Sequence, residues 1–259
     1  MPPSFMSAML RSALPASVLR LPLLTRCSII LVAICSLLSF QTRWDVQQWA
    51  FLVPSKVSLT SAYRTNTYAF VHTGITHALY NLVILTPLMS RFEVEHGTLT
   101  SLALFSGPFS TFPAFLYVLI DRFLIHTDAV LAGASTWVFL LLSLELAQTR
   151  KTRPSVIVGS FRVPTWTALL VAIILKEICL PSSSLLGPLC GAVIGYACGR
   201  GVLGWLAPPE RLLRWLEAKL TLLRRLPHYI SMDQNGQGRY GTLPTSSSFS
   251  LQPQLSGSQ

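Results

Sequence analysis

Six long stretches of the chain carry no Asp, Glu, Lys or Arg: Cys27 to Thr42, Thr65 to Ser90, His96 to Ile120, Ala129 to Leu144, Val163 to Leu175 and Ile178 to Gly199. A helix that crosses a bilayer needs roughly 20 predominantly apolar residues, and the pattern predicts one span for each stretch. The two shortest extend past a boundary charge. The fourth runs on through Glu145 to Thr149, and the fifth through Lys176 and Glu177 to Leu180, where a lysine near the interface can snorkel. Cys27 to Phe40 is only slightly longer than a signal-peptide core, but no small-x-small cleavage site with a polar start follows it, so it is read as a span.

The flanks follow other patterns. In PPERLLRWLEAKLTLLRRL, residues 208 to 226, Leu212, Leu213, Trp215, Leu216, Leu220, Leu222, Leu223 and Leu226 fall on one half of a helical wheel. Arg211, Arg214, Glu217, Thr221, Arg224 and Arg225 fall on the other, and Pro208 and Pro209 suit the first turn. This predicts a helix lying on an anionic membrane surface, with a packed core helix as the alternative. From Pro227 to Gln259 the chain is polar and rich in Ser, Gln and Gly, which predicts disorder. Met1 to Arg26 mixes Pro and Ser with apolar residues and shows no clean period.

Composition sharpens this picture. Only 12% of residues are charged, about half the share usual in soluble domains, which excludes an ordinary soluble fold. The net charge of +10 is distributed by side: with a cytoplasmic N-terminus, fourteen Lys and Arg fall inside and five outside. Both termini are therefore expected in the cytoplasm. No basic face with interleaved aromatics occurs, so nucleic acid is not an expected partner. The five cysteines lie in or beside apolar runs and form no CxxC pair, which reads as packing and not as a disulfide or metal framework.

Polar residues inside a bilayer are costly and are the first functional candidates. The second span holds His72, His77 and Asn81. His77 and Asn81 are four residues apart and project from one helix face, so two neutral donors can converge on a developing negative charge. Near its start the fourth span carries Leu131-Ala132-Gly133-Ala134-Ser135-Thr136-Trp137, a serine among small residues where free backbone N–H groups and the helix dipole favour an anion. Small residues also line ordinary helix contacts. Gly187, Gly191, Gly195 and Gly199 recur every fourth residue in the sixth span, a flat stripe that lets a neighbouring backbone approach. A channel or transporter would place paired carboxylates or broken helices at mid-membrane, and only Glu145 approaches that.

Together, Tyr63-Arg64, His72-x4-His77-x3-Asn81, Gly133-x-Ser135 and the glycine-stepped sixth helix resemble the rhomboid intramembrane serine proteases. Stretches such as YRTNTYAFVH, LTPLMSRFEVEHGTLTSLALF, GASTWVFLLL, LAPPERLLRWLEAKL and RLPHYISMDQ resemble the fungal Golgi rhomboids, over roughly residues 60 to 245. The resemblance implies an all-α integral membrane protein, a six-transmembrane-helix rhomboid bundle over residues 27–206. A cytoplasmic segment (1–26) would precede it, and a cytoplasmic amphipathic helix (207–226) and tail (227–259) would follow. It implies Ser135 as nucleophile, His77, Asn81 and the Ser135 N–H as oxyanion donors, and His72 as a helix-packing or supporting residue. Gly133 would support the site, and Arg64 and the WDVQQWAFLVP segment would belong to a membrane-embedded first loop. It further implies cleavage of transmembrane segments of membrane proteins, no cofactor or metal, residence in the Golgi membrane, and transmembrane substrates or clients and the lipid bilayer as partners. The tail is placed to recruit a cytoplasmic partner.

Two positions depart from the family pattern. Rhomboids carry their general-base histidine three residues before a glycine of the packing stripe, and Pro188 stands at that distance before Gly191 in LLGPLCGAVIG. Proline cannot accept the serine proton, and a serine hydroxyl is a weak nucleophile without a base. The expectation is a rhomboid-type intramembrane serine endopeptidase whose hydrolytic step is impaired for want of its base, with a catalytically inactive rhomboid-like protein that binds transmembrane helices and affects their trafficking or turnover as the alternative. Among the other histidines, His96 and His228 fall on the cytoplasmic side, and His126, in the loop before the fourth span, is the one luminal substitute. One base change interconverts His and Pro codons. Thr136 also stands where many rhomboids have Gly, which argues against close helix packing at that point.

Overall fold

A computed structural model of the chain describes residues 21–231 apart from 40, 42, 44, 153, 159, 160, 182, 183, 221 and 223–225. Most of the expected N-terminal segment, the tail beyond residue 231, and positions 221 and 223–225 of the expected amphipathic helix therefore lie outside the described residues. Six helices form the body: α1 (Leu23–Leu38), α2 (Ile75–His96), α3 (Thr98–Ile125), α4 (Ser135–Thr152), α5 (Thr167–Cys179) and α6 (Leu186–Gly199). A shorter α7 (Glu210–Lys219) follows, bent by 96° from α6 across the break. Among the described residues α3 alone is long and apolar enough to cross a membrane, and α6 with the segment after it passes only as a bent pair.

The helix ends differ from the predicted spans for local reasons. The second helix starts at Ile75, not Thr65, because Tyr63 to Phe70 form short turns and Gly74 enters the helix extended at φ −171°. His72 thus precedes the helix, a correction to its expected packing role within one. Gly97, at φ 84°, ends α2 and begins α3, a left-handed turn that a side chain would resist. The fourth helix begins six residues later than expected, because Ala129 to Ala134 are spent on the loop that delivers Ser135. Pro181 separates α5 from α6, as the residue before a proline disfavours the helical region. An antiparallel hairpin, β1 (Ser155–Val158) with β2 (Phe161–Pro164), joins α4 to α5 and was not foreseen.

The bundle is apolar both inside and out. Trp137, Tyr68, Tyr117, Phe139, Leu85 and Met89 are buried, while Leu79, Val83, Phe115, Ile174, Ile178 and Val193 are more than half exposed around the outside. A soluble monomer rarely shows so much exposed apolar surface, and hydrocarbon is the solvent that suits it.

At the centre, α4 and α6 approach backbone to backbone along the glycine stripe. Gly191 lies on the Thr136 carbonyl, Gly195 on the Leu140 carbonyl, and a Cβ at Gly199 would meet Leu144 O and the Ala147 Cβ at 2.7 Å. Thr136 does not prevent close packing, since Gly191 supplies the space against its backbone. Gly195→Ala would push a methyl into a carbonyl that cannot swing aside. Overpacking costs up to about 3 kcal/mol, against about 1 kcal/mol gained in helix propensity. The expected net loss is about 2 kcal/mol in reversible unfolding of the detergent-solubilised chain, and an unchanged midpoint would count against the contact.

α7 is partly buried against the rest of the chain. Leu213 and Glu217, one turn apart, are buried, and Glu217 Oε1 accepts the Tyr229 hydroxyl at 3.0 Å. Leu212 and Trp215 are exposed instead. The helix is therefore rotated so that one residue assigned to the polar half faces the bundle. The segment after Pro227, expected to be disordered, is tied down as far as Ser231. The Leu23 N–H donates to His228 O and the Thr98 N–H to Ile230 O, both at 3.0 Å, and Ser231 is buried.

Candidate active site

Ser135 is the first residue of α4 and is presented by a loop built against two others. Leu52 and Leu131 exchange backbone hydrogen bonds of 3.1 and 2.9 Å, a one-pair ladder that aligns the first loop with the serine loop. The Gly133 N–H then donates to Tyr68 O at 2.8 Å. Gly133 adopts φ +92°, and a Cβ there would lie 2.9 Å from His72 Cδ2 and 3.1 Å from His77 Nε2. Glycine is required twice over, by backbone conformation and by the two imidazoles packed on its face.

The sequence-selected polar residues converge on this turn. The Ala134 N–H donates to His72 Nε2 at 3.2 Å, so His72 braces the turn from the loop before α2. Gln47 Nε2 donates to His72 O at 3.3 Å and holds that loop in turn. His77 Nδ1 is paired with Thr73 Oγ1 at 3.2 Å, leaving Nε2 buried with no partner among the described residues. Asn81, one turn further along α2, is fully buried, and neither amide atom has a partner among the described residues. An unpaired buried polar group costs about 1 to 3 kcal/mol. His77, packed on Gly133, and Asn81 therefore carry unused hydrogen-bonding capacity. The amide of Ser135 belongs to the same face, since the first N–H groups of a helix have no partner within it.

The glycine stripe fixes position 188 relative to this turn. Gly187 lies against the Leu131 side chain, where an added Cβ would also come 3.6 Å from Thr136 Oγ1, and Gly191 lies on the Thr136 backbone. Pro188, between them in the first turn of α6, is buried. Proline is tolerated near the start of a helix, where the N–H it lacks has no helical partner. Among the described residues no side chain hydrogen-bonds to Ser135 Oγ; His126 is exposed, at φ 60°, in the loop after α3. None of these residues forms a metal-type group of three or more His, Cys, Asp or Glu among the described residues.

Three supporting contacts were not found from the sequence. Arg64 Nη1 reaches Phe51 O at 3.3 Å, within the first loop, as its place beside the aromatic segment suggested, but the partner itself was not readable. Asp128 clasps that loop to the serine loop, accepting the Ser55 hydroxyl at 2.6 Å and the Ser55 N–H at 2.7 Å. These bonds, first the hydroxyl and then the amide, hold the Asp128 carboxyl below the usual aspartate range. The clasp is therefore formed above about pH 4, and is lost as the pH falls through the lowered folded value. Glu93, inside α2, is fully buried and accepts from the Leu24 N–H, Thr25 N–H and Thr25 hydroxyl at 2.8 Å each and from the Thr98 hydroxyl at 2.7 Å. In the sequence it stands among the boundary charges Arg91 and Glu95, and nothing there marks it as buried.

Comparison with known proteins gives one consistent result. A Rhomboid domain matches residues 59–205. The chain is similar to rhomboid-type serine protease B of Aspergillus fumigatus, 50% identical over 227 residues that cover 88% of this chain and 84% of that protein. It is similar to rhomboid-type serine protease 2 of Neurospora crassa, 46% identical over 236 residues, 90% of this chain and 86% of that protein. A more distant likeness is to rhomboid-type serine protease 2 of Saccharomyces cerevisiae, 27% identical over 179 residues, 68% of each chain.

Proposed function

The chain belongs to the rhomboid family, and from that premise we propose that it binds transmembrane segments of other membrane proteins at a serine protease site whose hydrolytic step is crippled at Pro188. The observation that carries this reading is His77, packed on Gly133 two residues before Ser135 with its Nε2 buried and without a partner among the described residues, together with the unpartnered Asn81 amide one turn along α2.

In the full reaction Ser135 Oγ attacks a scissile carbonyl carbon, and the carbonyl oxygen gains the negative charge. His77, Asn81 and the Ser135 N–H are placed to receive it, and fixed donors in a dry site stabilise an oxyanion by about 3 kcal/mol each. His72 and Gly133 hold the turn, and Arg64 holds the first loop. The attacking hydroxyl must also lose its proton. Pro188 has no titratable group and its nitrogen is acylated, so it offers the proton nowhere to go. Loss of general-base catalysis removes about 10²- to 10⁴-fold of the rate. Helix recognition is untouched by that loss, which favours a binding role affecting trafficking or turnover of client helices.

The reading includes six membrane spans, α1 to α6, both termini in the cytoplasm and residence in the Golgi membrane by resemblance; the tail is offered to a cytoplasmic partner. Its test is photo-crosslinking of a single-span substrate to the full chain in vesicles. The expected product is an adduct of intact substrate that is lost when Gly133 is replaced by Val. Absence of any adduct, with the fold retained, would refute the binding role.

A further inference from the structure

Away from Ser135, the second half of α4 meets α5 and α6 around a cavity of about 140 Å³. Its walls are Leu146, Ala147, Leu169 and Leu170, and the Ser143 hydroxyl at its inner end is already spent on Ala192 O at 2.7 Å. A water there would find too few polar partners, since a buried water needs two to four. In a bilayer the abundant apolar filler is an acyl chain. From Ser143 to Arg150 the helix rises about 10 Å, so such a chain would run several methylenes deep below the mouth.

The mouth is marked by charge. Arg150, in the last turn of α4, is exposed and lines the cavity, and none of the ion pairs among the described residues includes it. Trp166, half exposed, and Tyr196 line the same cavity, and amphipathic rings of this kind settle at headgroup level. Between Glu145 and Lys176 the sequence holds Arg150, Lys151, Arg153 and Arg162 and no acidic residue. Basic pockets between membrane helices select anionic headgroups, with about 1 kcal/mol from each Lys or Arg near the surface.

We propose that this cavity binds one anionic phospholipid, with an acyl chain along Leu146, Leu169 and Leu170 and the phosphate on Arg150. The site is separate from the catalytic reading and stands or falls without it.

The test is native mass spectrometry of the full chain, released from vesicles of equal dioleoyl-phosphatidylserine and dioleoyl-phosphatidylcholine. The expected result is one retained lipid, with phosphatidylserine in excess. Arg150→Gln should lower that ratio by about fivefold, the change that about 1 kcal/mol gives, without loss of the fold because the side chain is exposed. Leu170→Trp, which fills the cavity, should reduce retention of both lipids. Equal retention of the two lipids by the unaltered chain, a ratio unmoved by Arg150→Gln, or full retention by Leu170→Trp would each overturn the proposal.

Discussion

Pro188→His is expected to raise Ser135-dependent labelling by a fluorophosphonate probe, and cleavage of a transmembrane substrate, by about 10²- to 10⁴-fold. The gain rests on placement. Position 188 lies in the first turn of α6, between Gly187 and Gly191, which pack on Leu131 and Thr136 on either side of Ser135 in the chain. A histidine there needs no change in helix geometry, because the first turn tolerates residues with or without an N–H. Pro188→Ala separates chemistry from backbone relief: it removes the ring but adds no base, and should leave the rate where it was. A gain from Ala equal to that from His would show that strain, not a missing base, limits the site. No gain from His, with the fold intact, would remove the protease reading of Ser135.

Glu93→Ala is expected to cost at least about 3 kcal/mol. Its carboxylate receives two backbone N–H groups at the start of α1 and hydroxyls from Thr25 and Thr98, and no water reaches it. Hydrogen bonds to a charged acceptor are worth about 1.5 to 3 kcal/mol each, and unpaired buried donors add their own penalty. Thr98 Oγ1 also receives the Ile230 N–H at 3.0 Å, so the loss should spread to the C-terminal segment. Unfolding of the purified chain in mixed detergent measures it. Glu93→Gln, which keeps the shape and one acceptor oxygen but replaces the other with an amide nitrogen that cannot accept, should fall between wild type and Ala. A glutamine variant as stable as wild type would contradict the account.

Much of the bundle was readable because charge frames it. In a chain this poor in Asp, Glu, Lys and Arg, each boundary charge limits an apolar run, and six runs gave six helices. Their starting points were not readable, since they depend on single residues: Gly74 and Gly97 around α2, Pro181 before α6, and the loop from Ala129 that delivers Ser135. The site was half readable. His77 and Asn81 share a face by helical period, and the glycine stripe announced a close helix contact. What braces the site comes from distant loops, Tyr68 O on Gly133, Leu52 on Leu131, Ser55 on Asp128, and no local pattern encodes such pairings. α7 shows the limit of periodicity. Its wheel described an amphipathic helix correctly, but Glu217 turned inward because Tyr229 waits there to donate to it.

The central claim is that this chain keeps a rhomboid site and lacks its base. Its most direct test is turnover of a transmembrane substrate by the purified, unaltered protein in vesicles, compared with Ser135→Ala under the same conditions. The account predicts that the two proteins cannot be told apart, or differ by a rate at least about 10²-fold below that of Pro188→His. Turnover by the unaltered chain that matches Pro188→His and is abolished by Ser135→Ala would contradict it.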